Sequence, residues 1–272
     1  MQQNRGGFTI FEVLIVLAIS ALLFISAVAL FRGKKGQTEF NQAMYDLESK
    51  VQSAVNDVKS GTFPDASNYN CTKRADDGTA GLMGASGPGT GKNQDCITLG
   101  RAIHAVHDSS TVYIYTVLGA RLNDQNLPAK SILDANPSTM IGGNPQQDAD
   151  LTEEYDLLGG ASVVSSKVVG QAGSYDIIGY YLAPQGGSSA GQGSTFTGLG
   201  YNFDSTPPSN GPRSLNSQLC VKQDPTSSCI NPITLGQWNL CLQSFDGGQK
   251  AFLSVTSAPS GVNTKLTFEN CS

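Results

Sequence analysis

Cationic residues are scarce in this 272-residue chain: 17 Lys and Arg stand against 22 Asp and Glu, a formal net charge of -5. Charged residues of both signs reach only 14%, well under the ~25% of an ordinary soluble domain. With no basic surplus there is no face to meet phosphates, which argues against a nucleic-acid binder. A small net charge with 39% hydrophobic residues also argues against a disordered tail. Cysteine is absent before Cys71 and proline before Pro64. No C-x-x-C pair occurs, so a structural zinc pattern is missing. The G-x-S-x-G spacing occurs once, at Gly187 to Gly191, inside a Gly- and Ser-rich stretch and not at an expected strand-to-helix turn, so it does not mark that kind of hydrolase nucleophile. No internal repeat is visible.

What is present is one long apolar run. Phe8 to Phe31 reads FTIFEVLIVLAISALLFISAVALF, 24 residues with a single charge at Glu12. As a helix this run is about 36 Å long, enough to cross a bilayer core of about 30 Å. A cleaved secretory signal has a shorter apolar stretch and a small-residue cleavage site. Here Arg32, Lys34 and Lys35 follow instead. A plain anchor accounts for the length but not for Glu12, and a soluble core helix accounts for neither. A carboxylate inside an apolar span is costly, and its default meaning is functional.

The flanks sharpen this reading. Met1 to Gly7 is a short polar leader containing Arg5 and ending Gly6-Gly7, followed by Phe8-Thr9-Ile10-Phe11-Glu12. This pattern resembles the class III signal of the type IV pilin and pseudopilin family. The match runs over Gly7–Phe31, and the resemblance covers residues 1 to about 60 and does not extend to the remainder. The resemblance implies that a prepilin peptidase cuts between Gly7 and Phe8 and methylates the new amine of Phe8. Gly7 suits a protease cleft because it has no side chain to clash. Cleavage creates an ammonium at Phe8, and Glu12 can pair with the Phe8 ammonium of a neighbouring subunit, setting the axial register of a fibre. The intramolecular pair across one turn is the alternative. Many type IV pilins carry a helix-breaking proline late in the apolar half, whereas this chain has Ala29 in that neighbourhood.

Counting basic flanks alone would place the C-terminal side in the cytoplasm. The leader motif and the cysteines, all located after the span, demand the opposite orientation, and they decide the reading. Beyond the span, Phe40, Met44, Leu47, Val51, Ala54/Val55 and Val58 recur at helical spacing. Ser60-Gly61 followed by Pro64 is a stop signal, and Gly33 and Gly36 are weak points. One helix from about Phe8 to Ser60 is expected, apolar all round at first and amphipathic later.

Residues 61–272 read as a β-rich head. Expected strands are Ile97–His107, Thr111–Leu118, Ser162–Val169, Tyr175–Ala183, Phe196–Phe203, Gln237–Phe245, Lys250–Thr256 and Thr264–Phe268. Asp150–Leu158 is expected to form a short helix. Long loops rich in Gly, Ser, Asn and Pro are expected at 81–93, 134–149, 184–195 and 204–218.

Six cysteines, Cys71, Cys96, Cys220, Cys229, Cys241 and Cys271, all follow the span, as an oxidising exterior predicts. Proximity along the chain pairs Cys71 with Cys96, Cys220 with Cys229 and Cys241 with Cys271. Ser86 to Asn93 resembles a phosphate loop but departs from it at both ends, and reads as an open loop. His104 and His107 fall on opposite faces of a strand, which separates them for a shared metal. Asp148, Asp150, Glu153, Glu154 and Asp156 read as a solvated helix face, with a calcium site as the alternative. Tyr180, Tyr181, Tyr201 and Phe203 read as half-buried strand positions, with an adhesive surface as the alternative.

The combined expectation is an α+β fold: leader 1–7, apolar helix 8–31, amphipathic continuation 32–60 and an extracytoplasmic head 61–272, with an antiparallel sheet and disulfides. By the resemblance, the function is that of a structural pilin subunit, of a minor or large-headed kind, in a filament for adhesion, motility or DNA uptake. Its implied partners are other pilins, the prepilin peptidase, an assembly ATPase with its platform protein, and the cytoplasmic membrane, crossed once before export to the surface. No catalytic residue, cofactor or metal is expected. A pseudopilin of a type II secretion or competence machine stays open, as does a tethered surface protein or enzyme with an uncleaved anchor.

Overall fold

A computed structural model of the chain describes residues 9–62, 69–73, 80–84, 96–122, 125–132, 134–135, 138–139, 152–171, 174–182, 196–201, 233–258 and 261–271. The absence of proline lets one helix, α1, run unbroken over Ile10–Ser60, 51 residues or about 77 Å. Gly36 lies inside it without breaking it. It stops at Gly61, whose φ of 67° is the left-handed conformation open to glycine. The Gly61 and Thr62 amides bond back to the carbonyls of Val58 and Asp57, satisfying the helix end as the Ser60-Gly61 signal leads one to expect.

The strands are β1 (Tyr69–Lys73), β2 (Ala80–Gly84), β3 (Cys96–Ala105), β4 (Thr111–Ala120), β5 (Ser138–Thr139), β6 (Thr152–Asp156), β7 (Ser162–Val168), β8 (Ile177–Leu182), β9 (Phe196–Tyr201), β10 (Ile233–Thr234), β11 (Gln237–Gln243), β12 (Lys250–Ala258) and β13 (Gly261–Thr267). β1 and β2 form a hairpin; seven strands form a sheet in the order β10-β9-β8-β3-β4-β5, with β6 also on β4; and β13-β12-β11-β7 form a second sheet. Every pairing is antiparallel.

The acidic segment departs from expectation. Thr152–Asp156 is not helical but is β6, paired with Thr111–Tyr115 of β4, and only Leu158–Gly160 makes a single 3-10 turn. The free edge of β4 offers backbone partners along the whole segment, and Thr152 and Tyr155 suit a pleated surface, so pairing overrides local helix preference. β2 likewise occupies the start of a stretch expected to be loop. β5 and β10 span two residues each, too short to leave a period in the sequence.

The amphipathic half of α1 is the centre of the core. Phe40, Met44, Leu47, Val51, Val55 and Val58 are buried with Ile103 and Ile114 of the large sheet and Trp238, Leu240, Leu253 and Val255 of the small one. We call this packed unit the head. A second cluster, including Leu99, Tyr115, Val117, Ile132 and Tyr181, lies on the far face of the large sheet. Its central strands are thus covered on both faces, which is why β4 buries residues without alternation. At Gly100, beside the β3 bulge, a Cβ would run into the Tyr180 carbonyl of β8, so only glycine lets these strands close up.

Candidate functional site

The described chain begins at the first turn of α1. Thr9 is extended, with φ -73° and ψ 149°, and is the N-cap. Its Oγ1 accepts from the Glu12 amide at 3.3 Å. In return, the Thr9 amide and the Thr9 hydroxyl both donate to Glu12 Oε2, each at 2.9 Å. This is a complete capping box, which satisfies backbone donors that a helix start leaves open. The Thr-x-x-Glu spacing was legible in the sequence, but the apolar run around it drew the reading to Glu12 alone. Gly7 and Phe8 lie outside the described residues.

Above this turn, Ile10–Ala27 is long and apolar enough to cross a membrane, and none of it is buried within the chain. Among the described residues, the first fully covered side chain is Phe40. From there the helix is gripped by polar contacts as well as by the core. Lys50 pairs with Glu153 of β6, so this acidic residue sits on a strand and ties it to the helix rather than lying on a helix face. Tyr155 donates its hydroxyl to the Ala43 carbonyl at 3.2 Å, and burial with the nearby Asp46 charge pushes that phenol up to about 12. Arg101 reaches Asp57 at 3.5 Å and also donates to Thr116 at 3.1 Å. Gln52 donates to Thr264 at 2.8 Å.

The C-terminal tail closes over the same helix. Phe268 meets Phe40 and Tyr45 edge-on, with ring centroids 6.4 Å and 5.7 Å apart. Just beyond it Cys271 is disulfide-bonded to Cys241 of β11, with a Cα–Cα separation of 5.8 Å. Cys71 lies on β1 and Cys96 opens β3, but their side chains lie outside the described residues, as do Cys220 and Cys229 altogether.

The remaining candidates that the structure describes are structural; the Tyr201 side chain and Phe203 lie outside the described residues. His104 is buried, its Nδ1 3.5 Å from the Tyr115 hydroxyl, beside the parallel rings of Tyr113 and Tyr115. Burial depresses it to about 4. His107 lies past the strand, in the exposed turn, facing Asp108. Among the described residues, no group of three or more His, Cys, Asp or Glu could hold a metal; Asp148 and Asp150 lie outside them. Tyr180 and Tyr181 are fully buried, so they display no adhesive surface.

Residues 2–28 match the family model of the prokaryotic N-terminal methylation motif. No curated protein and no solved structure matches the chain. The matched segment contains the whole capping box and the exposed apolar span up to Ala27. The chain therefore carries the prokaryotic N-terminal methylation motif, the class III signal of type IV pilins and pseudopilins.

Proposed function

We propose that the chain is a structural, non-catalytic subunit of a type IV pilus-like filament, made as a membrane-held precursor with its head outside the cytoplasm. The observation that carries this reading is the bare apolar stem behind a methylation motif. Twelve large apolar side chains between Ile10 and Ile25 are exposed. Leaving them in water would cost roughly 18–36 kcal/mol, more than the 5–15 kcal/mol that holds a typical fold together. Lipid covers them first, and the stems of other subunits cover them after assembly.

In this reading residues 1–7 are the leader, 8–31 the span, 32–60 its amphipathic continuation and 61–272 the head. Prepilin peptidase cuts between Gly7 and Phe8 and methylates the new amine. The capping box survives the cut, since Thr9 and Glu12 both lie after it. Both bonds from Thr9 fall on Oε2, which leaves Oε1 to pair with the Phe8 ammonium of a neighbour. An apolar setting makes an unmatched pair costly, by about 3–5 kcal/mol when one partner is lost, and that penalty selects the register.

Intact-mass measurement of the purified protein tests the reading. The expected product lacks residues 1–7 and carries one methyl group on Phe8, and Gly7→Ala blocks both changes. A product that retains its leader overturns the reading in favour of a tethered surface protein. Electron microscopy of the sheared fraction then separates long surface filaments from the short fibre of a pseudopilin.

A further inference from the structure

The strand register identifies which end of the head faces the stem. Phe252 of β12 pairs with Thr267, next to Phe268 and hence to Phe40. Gln243 pairs with Ser162 and with Lys250. The hairpin at 244–249, the turn Leu158–Gly160 and the C-terminal tail therefore gather where α1 leaves the head. A Cβ built on Gly159 would lie 3.1 Å from Glu39, and one on Gly160 would lie 3.2 Å from Phe245. Exposed large apolar residues concentrate here. Seven lie beyond Ala27 among the described residues, and four of them are at this end: Phe245 at 87% exposure, Tyr45 at 58%, Leu158 at 47% and Phe268 at 43%.

Phe245 is held out rather than left loose. Ser244 donates its hydroxyl to Asp246 and accepts from the Gln249 amide at 3.0 Å. Asp246 accepts from the Gly248 amide at 3.0 Å, and the Gly247 amide bonds to the Ser244 carbonyl at 2.8 Å. None of these bonds uses the Phe245 ring, so the turn's geometry does not explain the residue. The bilayer does not reach it. From Phe31 to Glu39 is 8 residues, about 12 Å of helix, whereas a headgroup layer adds only about 5–7 Å. The charged residues next to the patch along the chain, Asp46, Asp246 and Glu269, are acidic, so an anionic surface is not favoured.

Among the described residues, most of the other exposed large apolar side chains lie on the stem, twelve of them between Ile10 and Ile25. We propose that the Phe245 and Leu158 end of the head docks on the Ile10–Ala27 stem of a second copy, a head-to-tail contact that leaves an open helical assembly. This rests on the filament reading and adds a geometric condition. Glu39 lies 12 residues beyond Ala27 and 29 beyond Ile10. For parallel stems, the two copies must then be displaced along the axis by about 18–44 Å.

The test places the photo-crosslinker p-benzoylphenylalanine at Phe245 in the full chain, within assembled, sheared filaments. The expected product joins position 245 of one copy to residues 10–27 of another. Crosslinks to lipid, to another head or to an unrelated protein overturn the proposal, as do filaments without a crosslink. If the unmodified chain forms no filaments, the filament reading fails and takes the proposal with it. A second readout is Phe245→Ser, which should leave leader removal intact and lower filament yield about tenfold or more, the scale of one lost aromatic anchor. Unchanged yield refutes the contact while leaving the filament reading standing.

Discussion

Lowering the pH from 7 to 4.5 should destabilise the head through His104, by an amount the structure permits one to work out. The ring is buried against Tyr113 and Tyr115, and burial holds its pKa at about 4 against an ordinary 6.5. The sign follows from linkage: between those values the unfolded chain binds a proton that the folded chain refuses. Stability is thus fully present above pH 6.5 and is lost as pH falls towards 4. For this one group the loss is about 1.4 kcal/mol at pH 5.5 and about 2.5 kcal/mol at pH 4.5. Asp176, raised by burial, works in the opposite direction, so the measurement needs an internal reference. Trp238 is the only tryptophan, fully buried and donating to Ser166 at 2.7 Å. Its fluorescence in urea titrations of the detergent-solubilised chain reports the unfolding midpoint. The difference between wild type and His104→Gln should shrink by the stated amounts as pH falls. A difference that stays constant from pH 7 to 4.5 would refute the argument. An NMR titration placing the His104 ring near 6.5 would refute it as well.

Two further outcomes use the same fluorescence assay. Cys271→Ser opens a loop with a sequence separation of 30 and should cost about 3.5 kcal/mol from chain entropy, lowering the urea midpoint; a midpoint within error of wild type would remove the tail's role as a latch. Leu47→Ala, buried against the core, should cost about 2–5 kcal/mol, whereas Leu17→Ala, exposed on the stem, should leave the midpoint unchanged; equal effects would show that the stem folds onto the head.

The stem was legible because its signals are local. A 24-residue apolar run and a glycine stop each act over a few residues, and the helix and its end at Gly61 follow them. The strands with clear apolar content, β3, β4, β8, β11 and β12, were likewise visible within a few residues of their ends. The segment at 150–158 was not, because its strand state depends on a vacant edge of β4 far away in the chain. The role of Glu153 was hidden for the same reason, since its partner Lys50 lies 103 residues earlier.

The linear order of residues by itself settled that this protein carries the N-terminal methylation motif, one uninterrupted helix and a β-rich remainder, because motif, period and helix stop are short-range properties. The fold alone decided that Glu153 pairs with the helix, that His104 is buried, and that Phe245, Leu158 and Phe268 converge where the stem leaves the head. Those relations are set by which strand edges and helix faces find each other in space, and no neighbour along the chain carries that information.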